Sequence, residues 1–405
     1  MEERQPMTPT EATLRFIAGH RHDDVRTLAL QADRYPDVDM REALTQIAGR
    51  QTAETKVPTW AAAEGILYPP RLALEQCSSE EAARYKATLA AEGSAPHGSL
   101  ADLTGGFGID FAFLAPHFAQ ATYVERQEAL CAAASHNFPL LGLAAARVVH
   151  ADCTDYLKRM EPVDLIYLDP ARRDGHGGKT VAIGDCEPDA AALEPLLLEK
   201  AGRVMVKLSP MLDLTQALHT LRHVAAAHVV AVAGECKELL LVLAGGEVPQ
   251  ADDVPVRCVN LAADDEAFTF TRREEQEAPC RYADRPRAYL YEPNASLLKA
   301  GAFRHLSYIY KVEKLHASSH LYTSDVLLPR FPGRRFRVEG WCGFGRREVQ
   351  ELLDGVRKAN LTVRNFPATV AELRKRFKLS EGGAVYLFAT TLNDGRKALL
   401  RCGRV

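Results

Sequence analysis

Ala101-Asp-Leu-Thr-Gly-Gly-Phe-Gly-Ile-Asp110 reads as the end of an apolar strand, an acidic residue and a glycine-rich turn into a helix. Gly105, Gly106 and Gly108 let the backbone turn sharply and approach a ligand, whose polar groups would meet the helix N-terminal amides. Working outward, the apolar runs are Leu100–Leu103, Ala121–Val124, Arg147–His150, Val163–Leu168, Arg203–Leu208, His228–Val232 and Leu239–Leu243. Runs this apolar, separated by helix-length intervals, are what a parallel sheet covered on both faces requires. The expectation is an α/β Rossmann-like core with a seven-stranded, mainly parallel sheet.

Acids fall at the ends of four successive strands: Asp102, Glu125, Asp152 and Asp169. A solvated strand end explains any one of them; four in order mark the ligand-binding edge of an open α/β sheet. Asp102 is placed to attract the ammonium or sulfonium charge of S-adenosylmethionine. Glu125, 20 residues after Gly105, can accept both hydroxyls of a ribose, and Asp152 the adenine amino group. Thr104, Gly105, Gly106 and Gly108 complete the candidate cofactor-binding set. A nicotinamide dehydrogenase fits less well, because Phe111 stands where its fingerprint wants the third glycine.

Asp164-Leu-Ile-Tyr-Leu-Asp-Pro-Ala-Arg-Arg173 resembles the fourth motif of class I nucleic-acid methyltransferases, Asp/Asn-Pro-Pro-x. The resemblance implies that Asp169 and Pro170 form the catalytic edge, the carboxylate steering a nucleophile at the sulfonium methyl. Arg172 stands near where amine methyltransferases place a stacking aromatic; an arginine can stack on a base or grip a phosphate. Carbon methylation of uracil needs a cysteine after the fifth strand, where Val206-Lys-Leu-Ser-Pro210 stands. Lys207 completes the candidate catalytic set. Lys86, Asp169, Lys207 and Glu235 also occur in the order of the Lys-Asp-Lys-Glu set of ribose 2′-O-methyltransferases, a competing reading. The loop Asp174-Gly-His-Gly-Gly-Lys179 is expected to close over substrate.

At 405 residues the chain calls for two to four domains. Residues 8–90 read as helical, with Ala12, Leu14, Ile17, Leu28, Leu30, Ala43, Leu44 and Ile47 on apolar faces and Ser78 capping the last helix in capping-box order with Glu81. Glu92–Gly98 breaks the pattern, and Gly245–Asp253 marks the exit from the core. Val254–Leu261 reads as a strand, and Tyr289–Phe303 as a strand and then a helix. Beyond Pro329 come strand Arg334–Glu339, helix Arg346–Ala359, strand Leu361–Arg364, helix Thr369–Phe377 and strands Ala384–Thr390 and Lys397–Arg401 flanking the turn Asn393-Asp-Gly395.

Net charge is −3, yet residues 281–405 hold 24 Lys/Arg against 11 Asp/Glu, a net +13. Such asymmetry points to a polyanion meeting the C-terminal third. Arg330, Arg334, Arg335, Arg337, Arg346, Arg347, Arg374, Lys375, Arg376 and Lys378 cluster there beside Phe331, Phe336, Trp341, Phe344 and Phe366. Nine cysteines without a Cys-x-x-Cys pair fit neither a disulfide framework nor a zinc knuckle, so no metal is expected. No apolar run approaches the ~20 residues that span a bilayer. Met1-Glu-Glu-Arg-Gln-Pro6 lacks the regions of a signal peptide, which makes the cytoplasm the expected location.

With Glu75-Gln-Cys-Ser-Ser-Glu80, Asp169–Arg173, Glu187-Pro188, Lys207-Leu-Ser-Pro210, Glu292-Pro-Asn-Ala295, Lys299–Phe303 and Arg364-Asn-Phe-Pro367, the chain resembles a little-characterised bacterial family of class I S-adenosylmethionine-dependent methyltransferases with a THUMP-like C-terminal domain. The resemblance implies an N-terminal helical domain (1–95), a catalytic domain (96–250), a small ferredoxin-like α+β domain (278–328) and a THUMP-like domain (333–405). It also implies S-adenosylmethionine as cofactor and structured RNA, tRNA or rRNA, as partner of residues 281–405. An RNA-binding protein with a vestigial methyltransferase domain, or a methyltransferase of small molecules or proteins, are the alternatives.

Overall fold

The computed structural model describes residues 10–92, 98–172, 183–261, 263 and 266–405. Met1–Pro6, the Asp174–Lys179 loop and most of the Glu92–Gly98 break lie outside the described residues. The chain divides into two compact units, residues 1–225 with 240–248, and residues 226–239 with 249–405.

The first unit opens on helices Glu11–Gly19, Val25–Ala29, Met40–Lys56, Pro58–Ala62, Arg71–Gln76 and Glu80–Ala91. Thr10, Asp24, Asp39 and Ser79 each cap one of them by accepting from a first-turn amide. The core here is Phe16, Leu28, Ala43 and Ile47. Leu14 and Leu30, expected inside, are exposed. The buried Thr13 hydroxyl accepts from Asp39 N at 3.0 Å, and Phe16 packs edge-on against Tyr35, so the helix turns that face inward instead. Ser78 is likewise not the cap of the sixth helix; its hydroxyl is drawn inward to Asp110, and Ser79 caps.

The first sheet contains β1 (Ser99–Asp102), β2 (Gln120–Glu125), β3 (Arg147–His150) and β4 (Val163–Leu168). A short ribbon follows, β5 (Ala171–Arg172) against β6 (Cys186–Glu187), and then β7 (Ala201–Leu208), β8 (Val224–Val232), β9 (Glu235–Ala244), β10 (Val256–Leu261) and β11 (Phe268–Phe270). The order is β11-β10-β8-β9-β7-β4-β1-β2-β3. Pairings β1–β2, β1–β4, β2–β3 and β4–β7 are parallel. Ala233 and Gly234, both with left-handed φ, make the two-residue turn that reverses the chain into β9. All seven expected strands are present. The sheet has nine because Val256–Leu261 adds in parallel to β8 and β11 pairs antiparallel to β10.

In the second unit, β12 (Tyr289–Pro293), β13 (Glu313–Lys314), β14 (Tyr322–Ser324), β15 (Gly333–Cys342), β16 (Asn360–Arg364), β17 (Val385–Thr391) and β18 (Lys397–Arg404) form a sheet ordered β13-β14-β12-β15-β18-β17-β16. One face packs Leu290, Phe336, Phe388 and Leu400. The other carries helices Arg346–Leu352 and Val370–Phe377 through Val349 and Leu373. The first of these helices stops seven residues before the expected Ala359 because Gly355 turns the chain with φ 71°. The β17–β18 hairpin closes at Gly395, φ 85°, as its sequence demands. Between β12 and β15, the buried Glu292 accepts from Arg334 Nε at 2.7 Å and from Arg364 Nε and Nη2 at 3.0 and 2.8 Å. The carboxylate thus locks two family motifs together.

Candidate active site

The glycine turn is shaped by β2. A Cβ on Gly105 would stand 2.1 Å from the Tyr123 ring, and Gly106 and Gly108 have left-handed φ. The Tyr123 hydroxyl donates to Gly106 O. Gly105 N donates to Val124 O, Gly106 N to Glu125 Oε2 at 2.9 Å, and Gly108 N to Gly105 O. All three glycine amides are therefore already bonded within the protein. The helix they lead into, Ile109–Leu114, spans little more than a turn. The glycines admit a close backbone path.

Asp102 is buried, and its Oδ1 accepts from Thr104 N at 3.0 Å. Among the described residues no lysine or arginine pairs with it. Burial pushes its carboxyl well above the usual range, the Thr104 amide opposes this, and the carboxylates of Asp110, Asp169 and Glu125 add to the rise. Such a group favours a bound cation, so the site fits the ammonium of an S-adenosylmethionine. Glu125 spends one lone pair of each oxygen on Gly106 N and Gln127 N; each oxygen retains capacity for another donor. Asp152 caps the helix Cys153–Arg159 through Oδ1, accepting from Thr154 N and Asp155 N at 2.8 and 3.2 Å.

Asp169 follows β4 directly. Its amide donates to Thr104 Oγ1 at 2.6 Å, stitching the Asp-Pro turn to the glycine turn. Lys207, on β7, donates to Asp169 Oδ2 at 2.5 Å. Pro170 is buried, and Arg172 has its backbone in β5, paired with Cys186. At that ribbon Arg126 bonds Glu187 at 2.9 Å.

Sequence reasoning missed the layer beneath. Fully buried Lys86, from the helical segment, meets Asp110 at 3.1 Å and donates to Ser78 Oγ at 2.9 Å. Asp110 also accepts from Ser78 and from the Tyr167 hydroxyl, at 2.8 and 2.7 Å. Burial alone would raise the Asp110 carboxyl; the ammonium groups of Lys86 and then Lys207, with the two hydroxyls, outweigh it and hold it below its usual value. The available signal was an acid inside the apolar run Phe107–Phe111. The Lys-Asp-Lys-Glu reading is corrected accordingly: Lys86 bonds Asp110, and Glu235 pairs with Lys237 at 2.7 Å on an exposed stretch of β9.

Strand order, glycine turn and rim acids together define a class I methyltransferase domain. Residues 289–332 match a ferredoxin-like domain family and residues 333–404 a THUMP domain-like family. A candidate methyltransferase of Porphyromonas gingivalis W83 is 36% identical, with a TM-score of 0.86 over 97% of this chain and 98% of that one. The chain belongs to that family, the bacterial class I S-adenosylmethionine-dependent methyltransferases with a THUMP-like C-terminal domain. More distantly, an rRNA methylase from Streptococcus thermophilus is 16% identical at a TM-score of 0.31, covering 41% of this chain and 96% of that one. An O-methyltransferase from Bacillus cereus in complex with SAH is 12% identical at 0.35, covering 49% and 98%. No curated protein matches.

Proposed function

We propose that the protein methylates a nucleotide of structured RNA, tRNA or rRNA, in the cytoplasm, with residues 281–405 holding the RNA. The observation that carries this reading is the Lys207–Asp169 pair on the same rim as the buried Asp102, which has no cationic partner among the described residues. S-adenosylmethionine, when bound, supplies an electrophilic methyl group on a sulfonium. Asp102 holds the ammonium end, Thr104, Gly105, Gly106 and Gly108 shape the turn, Glu125 takes the ribose hydroxyls and Asp152 the adenine amino group. Lys207 fixes Oδ2 of Asp169, so Oδ1 is the oxygen presented to the proton of the nucleophile. Pro170 stiffens that turn, and Arg172 grips a phosphate or stacks on the target base. Alignment of an in-line displacement supplies ~7–11 kcal/mol, and a positioned base roughly 10²–10⁴-fold more. The accompanying domain division is 1–95, 96–250, 278–328 and 333–405.

Support for RNA comes from the basic C-terminal third. Arg337, Arg346, Lys375 and Lys378 are exposed, and among the described residues none of them forms an ion pair. Phosphate contacts of this kind make binding fall steeply with salt. The deciding experiment compares modified nucleosides in RNA from cells with and without the gene. Loss of one methylated nucleoside is expected. An unchanged RNA profile, alongside methyl transfer to a metabolite or protein, would move the reading to that substrate. Absence of S-adenosylmethionine binding in calorimetry would leave an RNA-binding protein with a vestigial domain.

A further inference from the structure

A bulge in β15 aims one aromatic ring at a place where the fold makes little use of it. β15 pairs regularly with β18 from Phe336 opposite Arg404 to Val338 opposite Cys402; the register then shifts, with Gly340 opposite Arg401 and Trp341 opposite Leu400. The extra residue breaks the two-residue alternation of a strand. Trp341 consequently joins Phe336 and Val338 on one face, packed against the core of Leu290, Phe388 and Leu400. It remains half-buried there. Among the described residues, its indole N–H has no hydrogen-bond partner and its ring has no stacked or cationic neighbour.

Two clefts open beside this ring, of about 520 and 590 Å³, and Trp341 and Arg396 line both. Tyr282, Asp284, Arg285 and Asn393 complete the polar part of the first, with Asp284 paired to Arg287 at 3.3 Å. Asp394 is there too, but it is bonded to Arg396 at 2.6 Å, while Arg285 is exposed without an ion-pair partner among the described residues. Glu348 and Glu351 line the second cleft with Arg396 and Lys397; Glu351 is bonded to Arg347 at 2.9 Å, whereas Glu348 has no ion-pair partner among the described residues and can accept from an amino group. A flat ring with a hydrogen-bonding edge and one attached anion matches this arrangement. In a duplex the base faces are already stacked on one another, so the match is to an unpaired nucleotide.

We propose that Trp341 is a stacking platform for an unpaired nucleotide of RNA, with the base edge facing Asn393 and Tyr282 and the phosphate facing Arg285. This rests on the RNA reading above and names the part of the RNA that the C-terminal sheet would hold. Base–aromatic stacking of this kind depends little on base identity.

The chain has two tryptophans, and Trp60 is buried in the first unit and shielded from contact, so quenching by a stacked base reports on Trp341. The full chain is titrated at low salt with a short single-stranded oligoadenylate, a blunt RNA duplex of the same length, and AMP. The expected result is quenching by the single strand, with binding about tenfold tighter than that of the duplex or AMP. Trp341→Leu, which keeps apolar bulk, should weaken single-strand binding about tenfold. Trp341→Phe should abolish the quenching with affinity nearly retained, which covers the case of a poorly folded leucine variant. Arg285→Ala should reduce the slope of log affinity against log salt by about one. Unquenched binding, or equal affinity in wild type and Trp341→Leu, overturns the platform and leaves the RNA reading standing. AMP binding as tightly as the oligonucleotide makes this a mononucleotide site and also overturns the proposal. No binding of either RNA removes both.

Discussion

Two buried carboxylates, Asp102 at the end of β1 and Glu292 in β12, are treated in opposite ways. Glu292 lies between two guanidinium groups, those of Arg334 and Arg364. Asp102 is as deeply buried, yet among the described residues it receives the Thr104 amide and no cation. Eight residues further on, Asp110 is buried too and is given Lys86. Burying a carboxylate is costly unless it is paired. Where a carboxylate serves the architecture, this chain supplies the counter-charge itself; on the rim it leaves one charge unbalanced, and an outside cation can balance it.

The largest expected effect comes from unbalancing a structural pair. Lys86→Met strands Asp110 in the interior, and breaking a buried pair costs about 3–5 kcal/mol. Urea unfolding should show that loss, and the double change Lys86→Met with Asp110→Leu should recover much of it. No recovery would mean that Lys86 contributes through packing rather than charge. A smaller loss is expected for Glu292→Gln. Arg334 and Arg364 are 44% and 37% exposed and can rehydrate, so screening limits the loss to about 1–2 kcal/mol. An effect as large as that of Lys86→Met would contradict this view of the clamp.

The contrast also separates what the sequence discloses from what it conceals. Strands, the glycine turn and the rim acids are legible because each follows from a local pattern: period, punctuation, or an acid after an apolar run. The Lys86–Ser78–Asp110–Tyr167 layer is not, because its members come from two helices, a loop and a strand and meet only after packing. The Glu75–Glu80 motif identified the family without disclosing that Ser78 points into this layer. The destination of the glycine amides was hidden for the same reason. Composition blurred the aromatics as well: Phe331 and Phe336 are core, whereas half-buried Trp341 owes its place on the face of Phe336 to a bulge that no period announces.

The smallest stability effect is the most telling, because its sign is unusual. The folded-state pKa of Asp102 is raised above its unfolded value of about 3.9. Its contribution to stability is therefore full below that value and is lost as pH rises through the folded pKa. Asp110 behaves oppositely: its lowered pKa contributes stability that is present above the unfolded value and lost in acid. In the ligand-free protein, Asp102→Asn should abolish the loss above pH ~4 that Asp102 causes and leave the acid limb governed by Asp110. At neutral pH the variant should be about 1 kcal/mol more stable than wild type while binding S-adenosylmethionine more weakly. Melting curves across pH, with and without S-adenosylhomocysteine, measure both at once. A variant that is less stable at neutral pH, or that binds the nucleoside unchanged, would show that Asp102 is as structurally committed as Glu292.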